Sequence, residues 1–248
     1  MAEVSKGDII YMDYVGYISE SNEVFDTTIE EVAKESGIYN ANARYQPIVV
    51  AVGAKWVIEG VDESLIGKKE GEEYEVDVPP EKGYGNRDPN KIKIMTEKRL
   101  RDAGVKGDIT PGAIIEVNGA PAVVRVVSGG RVLVDFNPPL AGKHLKYKII
   151  IKKICKTVKE KIEAIITRHN GELLKNVRIK ISEKTGVVEI KLDGYSIENP
   201  SIHFIKKEIA DDILLLINKI KTVRYVEQIS REEEEQETQK AESEADTG

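Results

Sequence analysis

The spacing of apolar residues changes along this chain, and the changes divide it. Up to residue 151 most apolar segments alternate as strands do, and after residue 152 a helical spacing takes over. Ile9, Tyr11, Asp13 and Val15 share one strand face and Ile10, Met12, Tyr14 and Gly16 the other. Ile48–Val52 is a β-rich run ended by Gly53, Glu72–Val78 alternates until Pro79-Pro80 stops it, and Leu145–Ile151 reads as a strong strand. Between these, residues 56–66 suit a short helix ended by Gly67. Residues 27–34 suit a short helix or extended loop with Thr28 as its cap.

A different texture occupies the middle. Residues 95–103 are charged and read as helical. Three short strands follow at 113–117, 122–127 and 132–136, joined by Asn118-Gly119, a strong hairpin signal, and by Ser128-Gly129-Gly130. Beyond residue 152, Val158, Ile162, Ile165 and Ile166 lie on one helix face. Two alternating runs at 177–181 and 188–192 flank a turn. Asn199-Pro200 opens a second helix with Ile205, Ile209, Ile213, Leu216, Ile217 and Ile220 as its stripe, and 222–229 reads as a last strand. The order αββαβ suits a small two-layer, ferredoxin-like unit if a strand precedes it. Residues 231–248 have almost no apolar content and are expected to be disordered.

Composition narrows the function. Of 248 residues, 40% are hydrophobic and 32% charged. The longest apolar runs, 48–52 and 213–217, hold five residues, whereas a membrane-spanning helix needs about 20. No membrane association is expected, and without an apolar signal core after Met1 a cytoplasmic protein is expected. The lone Cys155 excludes an intrachain disulfide framework and a cysteine-based zinc site. The net charge of −6 resides in 231–248, which holds eight acids and two bases. Residues 1–151 are acidic (24 acids, 19 bases) and 152–230 mildly basic (16 bases, 11 acids). That bias admits nucleic acid, but the stacking aromatics there are few, namely Tyr195, Phe204 and Tyr225, and no nucleic-acid partner is expected.

Nucleophilic and metal chemistry find little support. His144, His169 and His203 have no ligand spacing, Cys155 has no partner motif, and Gly83-Tyr84-Gly85 is no phosphate loop, so no metal or cofactor is expected. Several pieces in order say more. Ser5-Lys6-Gly7-Asp8 runs to Tyr14-Val15-Gly16 and then Val24-Phe25-Asp26. Residues 53–67 contain Trp56-Val57-Ile58-Glu59-Gly60-Val61. Residues 71–85 end Val78-Pro79-Pro80-Glu81-Lys82-Gly83-Tyr84-Gly85, and residues 135–145 read Asp-Phe-Asn-Pro-Pro-Leu-Ala-Gly-Lys-His-Leu. Together they resemble the FKBP family of peptidyl-prolyl isomerases. The last piece is close to the SlyD-like branch, and the whole chain looks like an archaeal long-type member.

The resemblance implies an α+β fold in which an antiparallel sheet wraps a short helix. It implies an isomerase domain at 1–85 and 137–152, a β-rich chaperone insert in the flap at 86–136, and a C-terminal α+β domain at 153–230. Carried over by motif, Asp26, Tyr84, Phe25 and Ile58 are the catalytic candidates. Tyr14, Ile48, Val57, Val61, Phe136, Leu140 and Tyr147 are the substrate-binding ones. On residue type alone, Tyr14, Val57, Val61 and Tyr147 read first as ordinary core residues. Typical members place Trp where Val61 stands, and Trp56 lies five residues earlier. The implied activity is cis-trans isomerisation of Xaa-Pro bonds in unfolded or partly folded proteins, with the insert capturing clients. A non-catalytic holdase on the same scaffold is the alternative. Leu214 and Leu215 make the second C-terminal helix apolar nearly all round, which points to a homodimer through that domain.

Overall fold

A computed structural model describes residues 3–171, 177–193 and 202–228. The expected cap at Asn199-Pro200 and the acidic tail at 231–248 lie outside them. The chain forms two compact units, Met1–Ile154 and Cys155–Gly248, so the boundary falls two residues later than the expected one.

The first unit is built on a five-stranded antiparallel sheet. Strand β1 (Ile9–Ile18) is long enough to serve three partners. Along one edge β2 (Glu23–Thr27) pairs with its C-terminal half and β3 (Ile48–Ala51) with its N-terminal half. Along the other runs β9 (Leu145–Ile154), itself bordered by β4 (Glu73–Val78). Pairing shifts register between Tyr11 and Met12 and between Gly16 and Tyr17. Bulges of this kind bend a strand and sharpen its twist. Between β2 and β3 lies a short helix, α1 (Glu30–Glu35), whose N-cap is Ile29. Thr28 does not cap it, because its hydroxyl donates to Asp13 and accepts the Tyr14 N–H instead.

Helix α2 (Glu59–Ser64) lies against the sheet, giving Val61 and the following Leu65 to a core with Ile10, Met12, Val78, Leu145, Ile149 and Ile151. A Cβ on Gly60 would sit 2.8 Å from a Val78 methyl, so glycine sets how closely helix and sheet approach. Asp62, nearly buried, accepts the Gly53 N–H at 2.9 and 3.1 Å and ties the helix to the end of β3.

Residues 86–137 form a second sheet with its own core. The order is β5-β8-β7-β6, with β5 (Ile92–Thr96), β6 (Ile114–Val117), β7 (Ala120–Ser128) and β8 (Arg131–Asp135). The expected helix at 95–103 shrinks to α3 (Glu97–Asp102), which Thr96 caps. The residues before it become β5, because pairing with β8 uses the alternation of Ile92 and Ile94 with lysine. Asn118 and Gly119 take positive φ, as their hairpin requires. Leu100, Val105, Ile115, Val117, Val124, Val132 and Val134 fill the interior.

The insert's two connections meet. The Asn137 side chain accepts the Asp88 N–H (2.9 Å) and donates to the Asp88 carbonyl (3.0 Å). Asp135, 1% exposed, accepts the Asn137 N–H (3.0 Å) and side-chain amide (2.8 Å), two bonds from Arg125 (3.1 and 2.9 Å) and one from Arg87. Arg125 sits at a bulge in β7, between Val124 and Val126 in register. Burial works to raise the Asp135 pKa, but the Asn137 and arginine bonds outweigh it and hold the carboxyl below its usual range.

In the second unit α4 (Val158–Asn170) opens on a capping box between Thr157 and Glu160 and buries Ile162, Ile165 and Ile166. Strands β10 (Val177–Ser182), β11 (Val187–Asp193) and β12 (Thr222–Gln228) form a sheet, with α5 (Ile202–Leu216) between the last two. The order is αββαβ and the two layers are present. The strand that separates β11 from β12 in a ferredoxin-like unit has no counterpart among the described residues, and the two pair directly in parallel. Ile205 is only partly buried on α5, whereas Lys206 is buried and paired with Glu227.

Candidate active site between helix and sheet

A cavity of about 460 Å³ opens between α2 and the sheet. Met12 and Tyr14 reach it from β1, Asp26 from β2, Ile48 from β3 and Tyr147 from β9. The turn into α2 supplies Lys55, Trp56, Val57 and Ile58, the helix supplies Val61, and Tyr84 closes one side. The loop carrying Tyr84 is fastened at Gly85, which donates to the Pro80 carbonyl at 2.7 Å and accepts from the Gly142 N–H at 2.8 Å.

Strand alternation explains how β1 contributes. Its face of Ile10, Met12 and Tyr14 turns to the core, and Tyr14 is its last large residue before Gly16. A Cβ at Gly16 would stand 2.8 Å from the tip of Phe25 and 3.2 Å from the Tyr147 ring. Glycine in a strand interior marks such a close approach. It lets Phe25 meet Tyr147 edge-on (centroids 5.8 Å, 88°) while Tyr14 lies tilted at 5.8 Å from Tyr147.

The polar groups are few. The Tyr14 hydroxyl donates to Asp26 at 2.6 Å, and the Tyr14 backbone is fastened by Thr27 and Thr28. Burial, then the bond to Asp26 and its charge, push the Tyr14 pKa far up. Burial, then Tyr84 nearby as both charge and hydrogen-bond partner, does the same to Tyr147. Both hydroxyls therefore stay protonated. Ile58 is the N-cap of α2, and its N–H has no acceptor among the described residues.

Of the residues named from sequence, Asp26, Tyr84, Ile58, Tyr14, Ile48, Val57, Val61 and Tyr147 surround the cavity. Phe25 props Tyr147, and Leu140 packs on the adjoining core without lining the space. Phe136 does not belong here. Its N–H bonds the Lys91 carbonyl at the base of the insert, its ring packs on the insert core, and it lines a separate cavity there. Met12, Lys55 and Trp56 were not foreseen as lining residues. The alternation that placed Tyr14 also places Met12, whereas nothing in the local pattern orients the Lys55-Trp56 turn.

Residues 1–101 match the family described as FKBP-type peptidyl-prolyl cis-trans isomerase, and 158–230 match the FKBP26 C-terminal family. The chain is 41% identical over 153 residues to the short-type peptidyl-prolyl cis-trans isomerase of Methanocaldococcus jannaschii, which covers 61% of this chain and 94% of that one. It belongs to the FKBP-type peptidyl-prolyl cis-trans isomerases. The SlyD isomerase of Aeromonas hydrophila is 28% identical over 152 residues, 61% of this chain and 65% of that one. The FKBP-type 16 kDa isomerase of Escherichia coli is 28% identical over 111 residues, 44% and 74% respectively. The similarity to the short-type and SlyD isomerases thus extends well beyond the stretch that the first family match covers. This FKBP is an isomerase and is SlyD-like.

Proposed function

We propose that this FKBP isomerises Xaa-Pro bonds in the cavity beside α2, and that the insert presents unfolded or partly folded chains to it. The observation that carries the proposal is a mostly apolar cavity in which burial holds the Tyr14 and Tyr147 hydroxyls neutral. Rotation about a prolyl bond faces a barrier of about 20 kcal/mol because the planar amide is resonance-stabilised. A planar amide is more polar than the twisted one and loses more solvation in an apolar space, so the cavity favours the transition state. Val57, Val61 and Tyr147, with Phe25 behind, hold the proline ring. The Tyr84 hydroxyl and the Ile58 N–H bind substrate carbonyls, and Asp26, kept in place by Tyr14, presents a polar wall beside the twisting carbonyl. No proton changes place.

For client capture, the support is the insert's second sheet face. Ile94 (67% exposed), Ile114 (77%) and Val126 (50%) stand out to solvent, and Ile94 also borders a cavity of about 490 Å³ lined by Met95, Val117 and Phe136. Tethering a client there raises the local concentration of its prolyl bonds at the active site. Homodimerisation is supported by α5, where Phe204 and Leu215, three turns apart, are 75% and 72% exposed. A single cysteine and an acidic, heavily charged composition fit a cytoplasmic setting.

Refolding of a proline-limited protein tests the main claim. The full chain accelerates the slow phase, a chain lacking 86–136 does so far less, and Asp26→Ala and Tyr84→Phe each lower kcat/KM, the latter by roughly two- to tenfold for one hydrogen bond. Suppressed aggregation with an untouched slow phase would make the protein a holdase. A monomer at every concentration in sedimentation would remove the dimer.

A further inference from the structure

The cavity mouth carries a residue that the isomerisation mechanism does not use. Lys55 lines the rim with φ of 58°, in the left-handed region that residues with a Cβ seldom adopt. Glycine would sit there without strain, and Gly53, two residues earlier, already takes φ of 85°. Strain held at a functional site argues that the side chain is the part being kept. Lys55 is exposed, and no described residue pairs with it. Asp26, the other charged lining residue, is engaged by Tyr14. The setting makes the cation conspicuous, because residues 1–85 and 137–152 together hold 18 Asp and Glu against 11 Lys and Arg. Such a domain repels acidic segments in general and attracts them at this one point of its mouth.

From this we infer that Lys55 is a specificity-determining residue, selecting prolyl bonds flanked by an acidic side chain. The inference rests on the cavity being the isomerisation site. A proline seated against Val61 and Tyr147 leaves its neighbouring residues at the rim, where Trp56 offers an apolar wall and Lys55 a charge. A carboxylate there forms an exposed ion pair, which is worth a modest preference, about two- to fivefold in kcat/KM. Because the pair stands in solvent, the preference falls with salt, as the Debye length shrinks from about 10 Å at 0.1 M to about 3 Å at 1 M.

The test is a set of proline peptides differing only in Glu, Gln or Lys on either side of the Xaa-Pro pair, assayed with the full-length protein. The reading is the Glu-to-Gln ratio of kcat/KM. Wild type is expected to favour Glu, Lys55→Gln to bring the ratio to one, and Lys55→Glu to invert it in favour of Lys. Trp56 is the chain's one tryptophan, so its fluorescence reports peptide binding separately from turnover and should follow the same order. A ratio that is the same in wild type and both variants, or one that is indifferent to salt, overturns the assignment of Lys55. Binding without turnover of any peptide would instead overturn the isomerisation site and the inference with it.

Discussion

Asp135 offers the sharpest energetic test. One carboxylate, 1% exposed, takes five hydrogen bonds from Asn137, Arg125 and Arg87, and through them it holds the two connections of the insert together. Its replacement by alanine leaves two guanidinium groups and a buried amide without their acceptor. Removing one partner of a buried ion pair costs about 3–5 kcal/mol. The arginine side chains are 42% and 40% exposed, so water re-solvates them, which puts the cost at the lower end, about 3 kcal/mol. In a unit of this size each kcal/mol moves Tm by about 2–4 °C, so Asp135→Ala should melt roughly 6–12 °C lower. Arg87→Ala and Arg125→Ala each leave the carboxylate its remaining donors and should cost about 1 kcal/mol. The assay is thermal melting followed by circular dichroism, with hydrogen exchange locating the change at residues 86–96 and 131–137. The reasoning fails if Asp135→Ala melts within about 2 °C of wild type, or if either arginine variant costs as much as the aspartate one.

Further predictions follow from the same structure. Because the folded pKa of Asp135 is lowered, its stabilisation is complete above the unfolded value of about 3.9 and is lost as pH falls through the folded one; Asp135→Asn should flatten that acid limb in pH-dependent melts. Isomerase activity should be flat between about pH 6 and pH 9, since Tyr14 and Tyr147 are pushed far above that window and no histidine lines the cavity; a bell-shaped kcat/KM profile would mean that proton transfer takes part. Gly16→Ala, which drives a methyl against Phe25 and Tyr147, should cost about 1–3 kcal/mol and lower kcat/KM, both measured on one preparation.

How far the sequence foretold this site depends on which interaction positions each residue. Tyr14, Val61 and Tyr147 lie on regular elements, and the periodicity that formed those elements also oriented them. Phe136 sits one residue past β8, where the Asp135 knot, and not alternation, decides which way the chain leaves; read from sequence it falls both in the insert's last strand and, by motif, at the cavity, and its ring packs on the insert core. Lys55 and Trp56 sit in a turn defined by a positive φ, which no local pattern announces. β5 was hidden because Lys91, Lys93 and the helix-forming run after Thr96 masked two isoleucines whose pairing depends on β8, some forty residues on. The direct parallel contact of β11 with β12 is likewise a tertiary outcome, invisible to the element order that was read correctly.

The place of β9 has a consequence for how the molecule is made. It runs between β1 and β4, so the main sheet stays split until residues 145–154 leave the ribosome, and the edge of β1 away from β2 and β3 must wait for a partner some 130 positions downstream. Contacts of such separation form slowly, whereas the β6-β7-β8 hairpins of the insert are local and form early. Once they do, the Asp88–Asn137 bonds shorten the effective loop from residues 79–144 to little more than its two flanks. That is roughly a fourfold contraction, worth about 1.2 kcal/mol of closure entropy. The insert, proposed above to meet unfolded chains, is thus expected to assemble first and to help close its own catalytic domain, an order that pulsed hydrogen exchange during refolding would reveal.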